Sequence, residues 1–225
     1  MKVLYWNIRG VGNRPTRRTL RSIVHKYSLD IICIAEPFVP LKRVHPYFWR
    51  SISMNLLGVN DRGLQQPNLW IFHSVQASSP KCSNQHVFVH FNLNGITHGI
   101  SFVYAATTVV EHRSLWLSLA HDCSIFARPH LILGDFNAVL GAHEKIGGIL
   151  PRCSSCEEFQ AMVDTRGLLP IDTKGSPFTW TNGHGISSHI EMLLIVVFVL
   201  PLGMTPGQLL IAQLLHVILR TIIHF

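Results

Sequence analysis

Three short apolar runs in this chain each stop on a side chain rich in oxygen or amide. Val3–Trp6 stops on Asn7, the run after Asp30 (DIICIA) stops on Glu36, and His130–Leu133 runs into Gly134-Asp135-Phe136-Asn137. A short run that is apolar at every position is what a strand buried on both faces requires. Between the first two runs the spacing predicts a helix over Pro15–Tyr27. Its proline falls in the first turn, where a missing N–H costs little. Leu20, Ile23, Val24 and Tyr27 recur at helical spacing as its buried face. The chain therefore opens β-α-β, with polar groups at the strand ends.

The middle reads as strands at Asn68–His73, His86–Leu93 and Ile96–Ala105. Asn94-Gly95 joins the last two as a hairpin signal. A helix is expected over Val110–Phe126, burying Leu115 and Leu119. A capping box from Ser155 to Glu158 predicts a second helix that buries Phe159, Met162 and Val163. Phe178-Thr179-Trp180-Thr181 reads as a strand closed by Asn182-Gly183. Hairpins mixed with β-α-β units point to an α/β sandwich with mixed sheets and not to an all-parallel sheet.

Composition narrows the classes. Charged residues are only 14% of the 225, which excludes a disordered chain and a coiled coil. The net charge of +7 is placed unevenly. Residues 1–50 hold 10 basic and 2 acidic groups, so the whole excess lies there. Arg9, Arg14, Arg17, Arg18 and Arg21 make most of it, and such a patch suits an anionic partner; a solvated helix face is the plainer reading. Five cysteines without framework spacing fit a reducing compartment. Cys153 and Cys156 form a lone C-x-x-C, read as helix-start residues and not as a zinc site. Asn7 and Arg9 interrupt any secretory signal, so a nuclear or cytoplasmic, non-secreted protein is expected.

Composition breaks near Glu191. Residues 192–225 carry one charged group, Arg220. Three readings of this stretch stand open: a membrane segment over Met192–Leu219, a pair of core helices, or sequence that did not evolve with the rest. Pro201, Gly203, Pro206 and Gly207 interrupt the first, so membrane attachment is not expected. The domain reading is a single unit over 1–190, with 191–225 an atypical apolar tail and no separate domain.

Carboxylates and amide oxygens at strand ends are hard ligands, suited to Mg²⁺ or Mn²⁺. Glu36 ends an apolar strand, where a bare carboxylate is costly without a partner. Taken singly, Asn7 and Asp135 also read as turn or cap residues. Tyr104 also reads as a buried strand aromatic.

Together, Trp6-Asn7-Ile8-Arg9-Gly10, Glu36-Pro37, Tyr104-Ala105, Gly134-Asp135-Phe136-Asn137 and Phe178-Thr179-Trp180-Thr181-Asn182 resemble the endonuclease/exonuclease/phosphatase superfamily. Within it, the spacing is most similar to the endonuclease domains of plant non-LTR (LINE-type) retrotransposons. The resemblance covers about residues 1–190. It implies a DNase-I-like α/β sandwich of two mixed sheets flanked by helices and divalent-metal-dependent hydrolysis of DNA, with no small-molecule cofactor. It implies that Glu36 and Asn7 hold the metal and that Tyr104 faces the scissile phosphate. Asp135 would orient or deprotonate the attacking water, and Asn137 would hold that carboxylate and a phosphate oxygen.

The superfamily also carries an Arg-Leu-Asp segment and a terminal Ser-Asp-His. After His189-Ile190-Glu191 this chain reads Met192-Leu193-Leu194, and no Asp follows Asp172. No role is carried onto His216 or His224. The resemblance thus implies an impaired enzyme whose C-terminal strands are replaced or incomplete. A non-catalytic nucleic-acid-binding remnant using the arginine patch is the alternative.

Overall fold

The computed structural model describes residues 1–93, 95–126, 128–171, 177–184, 188–200 and 216–221. The chain runs β1 (Lys2–Asn7), α1 (Arg14–Tyr27), β2 (Ile31–Ala35), α2 (Pro46–Arg50), β3 (Asn55–Val59), β4 (Leu69–His73), β5 (Lys81–Cys82), β6 (His86–Leu93), β7 (Ile96–Tyr104), α3 (Val109–Ile125) and β8 (His130–Asp135). It continues through β9 (Lys145–Ile146), α4 (Cys153–Arg166), β10 (Leu169–Pro170), β11 (Trp180–Thr181), β12 (Glu191–Met192), β13 (Ile195–Leu200) and β14 (His216–Thr221).

Two mixed sheets carry the architecture, in the orders β14-β1-β2-β4-β3 and β10-β13-β8-β7-β6-β5. Strand alternation builds three apolar layers from them. Val3, Tyr5, Ile31, Cys33 and Ile71 face Val87, Phe102, Leu133 and Val197 across the gap between the sheets. The neighbours Leu4, Trp6, Ile32 and Phe72 point the other way, onto Leu20, Ile23 and Val24 of α1 and Trp49 of α2. On the far side, Ile132, Phe136 and Phe198 pack on Leu115 and Leu119 of α3 and Phe159 of α4. The order is helices, sheet, sheet, helices, which is why β1, β2 and β8 are apolar at almost every position.

Several expectations need correction. Tyr27 is 39% exposed and outside the buried face of α1, because Ser28 caps that helix left-handed straight after it. The helix expected to open at a Ser155 capping box begins earlier, at Cys153, with Arg152 as N-cap and no capping side chain. Glu158 instead grips Arg113 of α3 in a two-pronged pair, at 2.7 and 3.0 Å. The Phe178–Thr181 strand has ladder pairing only over Trp180–Thr181. The hairpin residue Asn94 lies outside the described residues, although β6 and β7 do pair antiparallel.

The apolar stretch after Glu191 also differs from a tail. Ile195–Leu200 is a strand buried at every position, antiparallel to β8 in the middle of the second sheet. The core reading therefore fits these six residues, as a strand where a helix pair was one expectation. Among the described residues no helix is long and apolar enough to cross a membrane. His216–Thr221 pairs parallel with β1 through its backbone. Residues 201–215 and 222–225, with His224, lie outside the described residues.

Candidate active site

The first sheet delivers Asn7 and Glu36 side by side, because Asn7 pairs with Ala35 in the β1–β2 register. The second delivers Tyr104 and Asp135 side by side, because those two residues are themselves register partners. The sheets are stacked so that both strand ends meet. Asn7 Nδ2 donates to Glu36 Oε1 (2.8 Å) and to Asp135 Oδ2 (3.3 Å). Tyr104 donates its hydroxyl to the same Glu36 oxygen (2.7 Å). Asp135 Oδ1 accepts from the Asn137 backbone N–H (3.1 Å), and Asn137 Nδ2 donates to Ala105 O (2.7 Å). Four side chains from four strand ends thus form one connected group, which Asn137 joins through its backbone N–H, and all five residues were legible as candidates.

The backbone there is specialised. Glu36 and Asn137 hold left-handed conformations (φ 51° and 46°), as does Arg9 (φ 45°). Three such residues around one site mark a segment whose surroundings impose its shape. Gly134 has φ 151°, and a Cβ on it would meet Val103 O at 2.0 Å. Only glycine fits directly before Asp135, which accounts for that letter of the Gly-Asp-Phe-Asn run.

Electrostatics follow burial. The Asp135 carboxyl is pushed up to about 6, chiefly by burial and further by the Glu36 charge. The Asn137 N–H, the Asn7 amide and the Arg9 charge oppose that shift. Burial and the bond to Glu36 raise the Tyr104 phenol far above its ordinary value, so it remains a donor. Asn7 Oδ1 is buried and, among the described residues, has no hydrogen-bond partner. An orphaned acceptor beside a carboxylate is what an oxygen-liganded cation would satisfy, so the residues present fit one. Among the described residues no three His, Cys, Asp or Glu side chains cluster as a metal cage. Mg²⁺ does not require such a cage, since it keeps several waters and takes one or two carboxylates.

The basic patch is less uniform than its sequence. Arg17 Nη1 donates to Val11 O (3.1 Å) and Gly12 O (2.6 Å), bracing the loop after β1. Arg21 donates to Ser51 Oγ (2.9 Å) and covers the Phe48 ring. Arg14 and Arg18 are exposed, and neither makes a side-chain hydrogen bond among the described residues. Helix rise places Arg21 about 10 Å further along α1 than Arg14. Of these arginines, Arg9 is the one whose charge acts on Asp135.

Sequence reasoning missed two supporting residues. Tyr5 stitches the sheets: its hydroxyl donates to Val103 O (2.8 Å) and accepts from the Asp135 N–H (3.1 Å). Its spacing of two from Asn7 was the signal, since both then share the inner face. Asn60, buried in the loop after β3, ties two loops together beside Glu36. Where the Arg-Leu-Asp segment was expected, Glu191 is half-buried and pairs with His189 at 3.4 Å.

Two cavities flank Asn137. One, of about 570 Å³, contains Glu36 and Tyr104. The other, of about 470 Å³, is more apolar and lined by Val139, Trp180, Met192 and Leu194.

Residues 4–187 match the Endonuclease/Exonuclease/phosphatase family. Solved structures agree in fold. The endonuclease domain of TRAS1, a telomere-specific non-LTR retrotransposon, superposes with TM-score 0.65 at 13% identity, covering 92% of this chain and 86% of that one. The 3′-5′ exonuclease NExo from Neisseria meningitidis gives 0.68 at 13%, covering 89% and 87%. An AP endonuclease from Archaeoglobus fulgidus gives 0.65 at 8%, with the same coverages. No curated protein matches significantly. The fold is the DNase-I-like sandwich, and the site is a strand-end cluster of carboxylates, amides and a phenol. The chain belongs to the endonuclease/exonuclease/phosphatase family, whose nucleases and phosphatases hydrolyse phosphate esters and typically use a divalent metal.

Proposed function

We propose that the chain hydrolyses phosphodiester links in DNA as an endonuclease of the retrotransposon kind, with Mg²⁺ or Mn²⁺, in a nuclear or cytoplasmic setting. The observation that supports this is the unbroken chain Tyr104–Glu36–Asn7–Asp135–Asn137. The likeness to the TRAS1 domain supports the retrotransposon branch, and NExo bound to a product DNA hairpin supports DNA as the substrate class.

Glu36 and Asn7 Oδ1 would hold the cation, whose charge would offset that of the phosphate and polarise the ester. Asp135 accepts the proton of the attacking water, the step that needs a base within hydrogen-bond reach. Asn137 fixes that carboxylate by its N–H and is itself anchored to Ala105. Tyr104 keeps its proton, and its hydroxyl can pass from Glu36 to a phosphate oxygen. The Asp and His expected near the C-terminus have no counterpart at the site among the described residues. The rate is therefore set below that of a complete site, by about 10²–10⁴-fold.

Arg14 and Arg18, exposed and unengaged, favour a second reading, a non-catalytic nucleic-acid-binding remnant. Nicking of supercoiled plasmid separates the two. Slow nicking that needs Mg²⁺ and disappears in Asp135→Asn supports the enzyme. DNA binding by the wild type with no nicking at any metal concentration transfers the case to the remnant.

A further inference from the structure

A second group of polar side chains lies apart from the strand-end site, where the hairpin between β5 and β6 meets α3. The Cys82–Val87 pairing and the Ser83 N–H bond to His86 O (2.9 Å) close that hairpin and set Ser83 beside His86. Ser83 Oγ lies 2.7 Å from His86 Nδ1. The other ring nitrogen, Nε2, lies 2.8 Å from Oδ2 of Asp122, a residue of α3. Asp122 is fully buried and His86 is 2% exposed, whereas Ser83 is half-buried and reaches a cavity of about 270 Å³. Lys81, Leu117, Ser118 and His121 complete its lining, and it shares no lining residue with the two cavities beside Asn137.

The carboxylate sets the direction of the proton relay. Burial pushes the Asp122 carboxyl up, but the bonds from His86 and Lys81 outweigh it and hold it below its ordinary value. It is therefore ionised and can only accept. Neutral His86 then carries its proton on Nε2, and Nδ1 turns a lone pair towards the Ser83 hydroxyl. The N–H groups of Gln85 and His86 donate to Ser83 Oγ (3.3 and 3.1 Å), which fixes that oxygen and offsets negative charge building on it. A serine that only caps a hairpin needs those N–H bonds and nothing more. It does not need its histidine backed by a buried carboxylate, a group costly to take from water. Lys81 and the Ser118 hydroxyl, which makes no hydrogen bond among the described residues, bring donors for an oxyanion to the same cavity.

We infer that Ser83, His86 and Asp122 form a second reactive centre, which hydrolyses short-chain carboxylic esters without a metal. Ser83 Oγ bonds to the ester carbonyl carbon as its proton passes to His86 Nδ1. The ester C–O bond breaks, and the alcohol leaves with that proton. Water then attacks the acyl-serine and gives a proton to His86. The acyl–Oγ bond breaks, the acid leaves, and Ser83 recovers its proton from Nδ1. Asp122 touches no substrate; it positions the ring and its tautomer. The volume of the cavity restricts the acyl group to a small one, with exposed Leu117 as its apolar wall. The centre shares no residue with the strand-end site, so neither activity depends on the other.

The test uses the full chain in EDTA, which silences the strand-end site. A fluorophosphonate probe, whose phosphorus takes a reactive serine oxygen as fluoride leaves, reads the nucleophile. Hydrolysis of p-nitrophenyl acetate reads turnover. Peptide mass mapping of the labelled wild type is expected to place one adduct, on Ser83. Ser83→Ala should lose both label and turnover, and His86→Gln should slow both by about 100-fold. Nitrogen NMR of the imidazole should show the Nε2–H tautomer in wild type and lose it in Asp122→Asn, with turnover falling alongside. A wild type that takes no label or takes it elsewhere, or a Ser83→Ala or His86→Gln variant as fast as wild type, overturns the inference and leaves the DNA reading standing. The adduct map needs no variant, so it decides even where a substitution unfolds the chain.

Discussion

Single side chains decide where this protein tolerates charge. His130 is buried, 1% exposed, with Nε2 on Ser101 Oγ (2.9 Å) and Phe88 and Phe126 against its ring. Burial is the main cause that lowers it from 6.5 to about 4, outweighing the Asp122 charge that pulls the other way. The folded state thus binds its proton less readily than the unfolded chain. The stabilisation is fully present above about pH 6.5 and drains as pH falls from there towards 4. At one proton the loss amounts to about 3 kcal/mol. Denaturant melts across that window should show it in wild type, and His130→Gln should flatten this part of the slope. An identical pH dependence in both would contradict the assignment. Such residues also show what the sequence could disclose. Asn7, Glu36, Asp135 and Asn137 were legible because a polar group that stops an apolar run must face something. Tyr5 was not, because a tyrosine inside such a run reads as apolar filling. Its hydroxyl partners, Val103 and Asp135, come from another sheet. Arg17 and Arg21 looked like solvent-facing charge, and only the folded loops show that they hold Val11, Gly12 and Ser51.

Elements were legible where the period was long or the burial complete. β1, β2, β8 and the helices α1 and α3 lie within a residue or two of their expected bounds. The short pieces α2, β3 and β5 were not anticipated, since two to five residues carry too little pattern. β13 is the instructive case. Its run Ile195–Leu200 has no alternation because the inter-sheet layer covers one face and α3 and α4 the other. A run of that kind is ambiguous between strand, helix and foreign sequence until a neighbouring strand accepts it. If it is a core strand in solution, Val197→Asp, which buries a charge between the sheets, should cost upward of about 3 kcal/mol. Leu150→Asp, on an exposed loop, should leave the melting temperature nearly unchanged. Thermal unfolding of the two variants checks this. Equal melting would return the segment to the status of an appendage.

At the scale of the whole molecule, charge is distributed by role. The excess in the first 50 residues divides into arginines that brace the fold and arginines that face outward. Each outward arginine that contacts a phosphate should contribute about one unit to the dependence of log affinity on log salt. Removing both Arg14 and Arg18 by alanine substitution should therefore lower that slope by roughly two and weaken binding to all DNA sequences alike. Arg17→Ala should lower the melting temperature instead. Titrations at several salt concentrations, paired with melting curves, distinguish the two kinds of arginine.

Asn7 and Asp135 are 128 positions apart and arrive from opposite slabs of the sandwich. Neither slab holds a usable fraction of the chemistry alone. The polypeptide must be made almost to its end before either slab is whole, since β13 and β14 supply one strand to each.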